Sequence, residues 1–561
     1  MGDALLAGVS GMKAHQKMID VAGNNLANVD TTSFKASRVR FSDLLSETMK
    51  DASQPSSSVG GTNPQQVGSG TKLASVDMDM AQGGLITTGQ ALDMAIEGTG
   101  YFVLNNGQSD VYTRVGAFAV DSDFCLVDPG TGYRVQRIGS EGVSDGFQSP
   151  TSSAIRIPYD MALPACATQT VWYNGNLSAD QGTPTTNMLA SGLEYTTAAG
   201  AAASSDTLLT SLAQGGGTLV DGDAIVVSGT RRDGGAVAGA EFACFDADGN
   251  SKTVGDLLDF IDAAFANPDD PTERWSTATM ENAQLCLRDS AGGYSLTDIS
   301  MVMKDGSTGA LELPHYFIAE DAGGEAAQKT NIEVFDSQGV SHILEAEFVK
   351  TDTPNKWDLV LTSITGDVNV VNRRISGINF LTDGTFGSLD DPGGGYFEMR
   401  FANDPDTVAR IAVNLGTVGE MDGLSQVGGH ATAAPSRQDG YTAGWLSNLS
   451  VTREGVLVGV FSNGIRRDIA ALKLATFQNP AALLALGNNY FAPSSNSGEP
   501  IPTRALSGGA GAVNGGSLEK SNVDVATEFV NLIQAQNGFM ANARTIRVSN
   551  EMLSELTGLI R

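Results

Sequence analysis

The sequence predicts a multidomain, mainly β protein. Its β-rich body domains are nested between N- and C-terminal α-helices that pair in the manner of a coiled coil. Three observations predict this. The chain has 561 residues, more than one hydrophobic core ordinarily holds. Its 67 glycines, with Thr, Ser, Asp and Asn scattered between short apolar runs, fit strands joined by many turns. Its two ends carry helical patterns in which apolar residues recur at every seventh position.

At the N-terminal end the repeat is Leu5, Met12, Ile19 and Leu26. Val9 opens a second line that Gln16 and Gly23 weaken. The C-terminal repeat is longer: Val525, Leu532, Phe539, Ile546, Leu553 and Ile560. Its partner line begins at Phe529 and turns polar through Gln536, Asn550 and Thr557. Asp524 suits the positive end of a helix dipole. A helix from near Asn522 would run about 55 Å at roughly 1.5 Å per residue. Its obvious partner within the chain is the other terminus, and two helices alone bury little and are marginal without neighbours. Polar residues within the stripes cost stability and specify register and partner. The stripes are therefore the candidate self-assembly residues, and assembly of many copies is favoured over a two-helix stalk folded in the monomer.

The N-terminal helix gives way to "NNLANVDTTSF", residues 24–34. Asn24, Asn25 and Asn28 are poor helix-interior residues, and Thr31 and Thr32 lie among turn formers. At minimum this polar motif ends the helix in an Asx or Ser/Thr turn. The sharper expectation is that its amides fix the direction in which the chain leaves.

Between the ends, residues 51–72 and 494–517 are rich in Ser, Pro and Gly and lack apolar period, as connectors do. Paired connectors predict nesting. The divisions are 1–30 with 520–561 (helical), 31–80 with 494–519 (linker), 81–150 with 400–493 (inner β body), 151–180 with 327–399 (outer β domain) and 181–326 (an inserted α+β or β-sandwich domain). Within the insertion, Thr253 to Phe265 is the one good helix, with Val254, Leu257, Leu258, Ile261 and Phe265 on one face.

The formal net charge of −30 argues against nucleic acid and against docking on anionic lipid. No run of about 18 apolar residues is present, so no membrane insertion is expected. The start lacks a basic segment followed by a long apolar one, so no Sec-type signal peptide is expected. Cys125, Cys166, Cys244 and Cys286 form no CxxC pair and are expected to be isolated thiols. "DADGN" at 246–250 has Gly249 fourth, whereas a calcium loop needs glycine sixth, so a β-turn is expected. "GVSGM" is not a nucleophile elbow, because Gly11 follows Ser10 directly. His15, His315, His342 and His430 fall in no ligand pattern. No catalytic, cofactor or metal site is expected, and the chain is not expected to be an enzyme.

"GVSGMKAHQKMIDVAGNNLANVDTTSFKASRVRFSDLL" resembles the N-terminal signature of the bacterial flagellar rod and hook family. "GGLITTGQALDMAIEGTGYFVL" resembles the first body segment of that family, and "VDVATEFVNLIQAQNGFMANARTIRVSNEMLSEL" its C-terminal part. "NIEVFDSQGVSH" and "DGYTAGWLSNLSVTREGVLVGVFSNG" place the resemblance in the hook branch. The resemblance implies a subunit exported by the flagellar type III apparatus without a cleaved signal. It implies a homopolymer whose terminal helices line a curved, bendable tube that transmits torque from rod to filament. The distal rod, the hook cap and the hook–filament junction proteins are the implied partners, and the extracellular part of the flagellum the implied location. A rod or junction protein is the nearest rival, and an adhesin or enzyme carried by 181–326 a more distant one.

Overall fold

The computed structural model describes residues 2–57, 59–270 and 272–559. The chain divides into two compact units, Met1–Leu163 with Gly444–Arg561, and Pro164–Ala443.

In the first unit, helices α1 (Gly2–Ala27) and α3 (Val525–Leu559) pack against each other. Past α1, Ser37–Asp43 pairs with Thr71–Met78, and between them Ser46–Lys50 pairs with Gln65–Gly68, giving two nested antiparallel two-stranded ladders. About half of the expected 31–80 linker is therefore strand, formed because other segments of the same unit supply its backbone partners. The same holds near the other end. Ile501–Thr503 pairs with Leu474–Thr476, Ala512–Gly515 with Met94–Glu97, and Ser517–Glu519 with Leu85–Thr87. The body has a nine-stranded sheet around Tyr101–Asn105 and a five-stranded sheet around Val456–Phe461. Tyr101, Tyr112, Phe477 and Phe491 fill the first sheet's core edge to face, with ring centroids 5.0–5.8 Å apart.

The second unit contains a five-stranded antiparallel meander from Ala327 to Leu389. It shares one core with a six-stranded sheet around Thr170–Ser178, centred on Trp357, Phe348, Tyr173 and Phe397. Its first hairpin turns at "DSQG". The Asp336 carboxylate accepts the amides of Gln338 and Val340, and Gly339 takes φ +81°, which only glycine adopts without strain. Ala409–Asn414, Leu424–Val427 and Ala434–Gln438 all pair with Thr170–Ser178. Residues 400–443 thus lie in this unit, not with the inner body where the sequence pattern places them. Their alternating pattern fits either sheet, and only long-range pairing decides.

Within this unit, residues 187–321 have a core of their own, built from a four-stranded sheet, a three-stranded sheet and α2 (Val254–Ala264). α2 begins where the sequence places it, because Thr253 caps it in a reciprocal box with Asp256. Val254, Leu257, Leu258 and Ile261 are buried on the predicted face. Asp358, fully buried, ties this layer to the meander. It accepts from Tyr294 Oη at 2.6 Å and Arg374 at 3.0 Å, while Arg374 also donates to Ser295 O. "DADGN" is a turn, with the Asp246 carboxylate accepting the amides of Asp248 and Asn250. The four cysteines are unpaired, and burial pushes the Cys244 thiol up to about 11.

Candidate assembly site at the paired chain ends

Three glycines determine how closely α1 and α3 approach. Gly8 and Gly11 each lower helix propensity by about 1 kcal/mol relative to alanine. Both are covered, because α3 lies directly on them. A Cβ on Gly8 would come within 2.9 Å of Ile546, and one on Gly11 within 2.7 Å of Asn542. On α3, Gly538 faces the His15 ring, which sits beside Phe41 with centroids 6.2 Å apart. Ala14, Ala22 and Asn25 are also buried on α1, and Ala535 and Ser549 on α3.

The seam is thus made of small residues. On α1 its heptad positions stand one residue before or three after the Leu5, Met12, Ile19, Leu26 line, about 60–100° round the helix. Leu5, Val9, Met12, Ile19 and Leu26 are half-buried beside the seam. So are Leu532, Phe539 and Ile546 on α3, whereas Val525, Phe529 and Leu553 are exposed. Ile560 lies outside the described residues. Val530, Ile533 and Met540 add to the open apolar surface and are 52%, 55% and 60% exposed. α3 starts three residues later than Asn522, capped by Asp524, whose carboxylate accepts from Thr527 Oγ1 and the Ala526 amide. Those bonds hold its carboxyl below the usual range.

The helix-exit motif divides into two jobs. Asn28 donates to Asn24 O at 3.0 Å and accepts from Thr31 Oγ1, closing a local turn. Asn489 donates to Thr32 O. Asn25 works at long range. Its amide donates to Ser37 O at 2.8 Å and to Glu528 Oε1 at 3.0 Å, and its Oδ1 accepts from Ser37 N at 2.9 Å. One fully buried side chain therefore joins α1, the first strand and α3. The bonds of Asn25 thus reach other elements, whereas those of Asn28 are local to the helix end. We expect Asn25→Ala to cost about 1–3 kcal/mol locally, since it strands the main-chain groups of Ser37. Hydrogen exchange should show faster exchange in α1, unchanged exchange in Tyr101–Asn105, and a smaller effect for Asn28→Leu.

Beyond the exit lies a buried ionic cluster that no sequence pattern revealed. Lys35 Nζ is 2.7 Å from Glu519 Oε1 and donates to Ala81 O at 2.8 Å. The Gly83 amide donates to the same carboxylate oxygen. Arg114 stands 3.6 Å from Glu519 Oε2, bonds Ile96 O and Gly98 O, and lies over the Tyr101 ring. Burial pulls the Lys35 pKa down, against the opposing pull of Glu519. Ser33, in the left-handed region at φ +58°, bonds Glu519 O and Arg114 O. Asn522 completes the bracket by accepting Ala36 N and donating to Asp79 O and Ala81 O.

Residues 5–35 match the family model for the flagella basal body rod protein, and 95–179 that for the flagellar hook protein FlgE/F/G D1 domain. Residues 307–441 match the flagellar basal body protein FlaE D2 domain, and 514–559 the flagellar basal body rod FlgEFG protein C-terminal. The flagellar hook protein FlgE of Treponema pallidum is 31% identical over 569 residues, which cover 100% of this chain and 99% of its own. The chain belongs to the flagellar hook protein FlgE family. The hook protein of Borreliella burgdorferi is 30% identical, with 99% of both chains covered. The rod protein FlgG of Bacillus subtilis is 43% identical, but over 132 residues that cover 24% of this chain and 50% of its own. Likeness to the hook protein is thus end to end, while likeness to this rod protein is confined to a part. The chain is a structural hook subunit and not an enzyme. No helix among the described residues is long and apolar enough to cross a membrane.

Proposed function

We propose that this hook subunit polymerises with copies of itself through α1 and α3 into a curved, bendable tube. The helices line its export channel and the β-rich domains form its outer layers. The observation that carries the reading is the open face of α3. Phe529, Val530, Ile533 and Met540 are half or more exposed on a 35-residue helix whose partner, α1, spans 26 residues. Such apolar surface on a soluble chain belongs against a neighbour. The distal rod, the hook cap and the hook–filament junction proteins complete the proposed set of partners. Export passes through the type III apparatus to an extracellular position on the flagellum. A helix pair marginal in the monomer suits export, since it can be threaded unpaired and ordered on assembly.

Ile533→Asp and Met540→Asp test the reading. Both side chains are solvent-facing in the single chain, so folding of the body should be unchanged and polymer formation lost. Polymers formed at wild-type concentration by both variants would contradict the proposal.

A further inference from the structure

We infer that Glu519 is the positioning residue of the whole helical end: its buried carboxylate latches the chain leaving α1 to the chain entering α3. The inference rests on the reading that these helices carry assembly, and adds what aims them.

Three charged side chains, at positions 35, 114 and 519, meet out of water, with Lys35 4% exposed, Arg114 5% and Glu519 1%. Burying charge is costly unless it is paired and its remaining hydrogen-bonding groups are satisfied. A mixed apolar core would stabilise this point without that cost, so the cluster is better explained by direction than by strength. Its placement agrees. Residues 28–34 separate α1 from Lys35, and residues 520–524 separate Glu519 from α3. Each link is too short to let its helix swing freely once the ions are seated. One oxygen, Glu519 Oε1, receives both the Lys35 ammonium from the α1 side and the Gly83 amide. The Glu519 backbone oxygen receives the Ser33 amide. Arg114, which directly follows the strand Asp110–Thr113 of the nine-stranded sheet, stands on the other side of the carboxylate and donates to Ile96 O and Gly98 O. Glu519 therefore ties both helix links to the body at one place.

The full-length chain tests this with Glu519→Gln, Lys35→Met, Lys35→Arg and the Lys35→Met/Glu519→Gln double variant. The readouts are hydrogen exchange of the monomer and the critical concentration for polymerisation. Glu519→Gln should speed exchange at least tenfold in residues 28–37 and 520–530. Exchange in Tyr101–Asn105 and Val456–Phe461 should stay within twofold of wild type, and the critical concentration should rise at least tenfold. Lys35→Arg should stay near wild type and Lys35→Met should not. The double variant, which removes a cation together with the anion, should remain defective in assembly. Unchanged exchange in the two links of Glu519→Gln, an equal loss throughout the body, or wild-type exchange in the links of the double variant would each overturn the latch. If the links loosen as expected while assembly stays at wild-type concentration, the latch stands and the proposed role of the helices in assembly fails.

Discussion

Gly538→Leu is expected to part α1 from α3. A side chain at 538 points into the His15 ring, all three of its nearest neighbours being atoms of that ring. The ring has Phe41 on one side, so it cannot retreat without disturbing the first strand. Overpacking in a tight contact costs about 1–3 kcal/mol. A two-helix pair has little else to offset this, so the pair should open rather than adjust. Circular dichroism should show loss of helix at a temperature where the β body is intact, and polymerisation should fail. Gly11→Leu, placed against Asn542, should behave alike. A wild-type helix signal in both variants would mean that the small-residue seam is not what sets the helix spacing.

Deleting Val525–Arg561 is expected to abolish assembly while leaving a soluble, folded body. Glu519 and Asn522 remain in that truncation, so the ion cluster and its bracket on Ala36, Asp79 and Ala81 should survive. The body cores around Tyr101 and Trp357 contain no residue of α3. Calorimetry should give the body transitions of the full chain, and electron microscopy should show no filaments. Filaments of normal appearance would remove α3 from the assembly surface.

How much of this was legible in the sequence differs by element. α2 was readable to within a residue, because a Thr253–Asp256 capping box and a full apolar face are both local signals. The paired terminal helices were readable from period alone. Their seam was not, because heptad reading assigns contact to the largest apolar residues. These helices instead meet on Gly8, Gly11, Ala22, Ala535 and Gly538, leaving larger residues at the flank or open. The sequence places the start of α3 at Asn522, whose amide is spent instead on the carbonyls of Asp79 and Ala81. The polar connectors hid strands such as Gln65–Gly68 and Ala512–Gly515, because backbone pairing leaves little mark on composition. Lys35, Arg114 and Glu519 look like ordinary surface charges. Only the fold brings them together, from widely separated points of the chain, and buries them.

A helical reconstruction of the assembled polymer, with side chains traced in the terminal helices, tests the central claim most directly. The account predicts α1 and α3 lining the channel, with Val530, Ile533 and Met540 covered by neighbouring copies and the Lys35–Glu519 pair intact in every subunit. A channel wall built from the β-rich domains, with the open face of α3 still exposed to solvent, would contradict it.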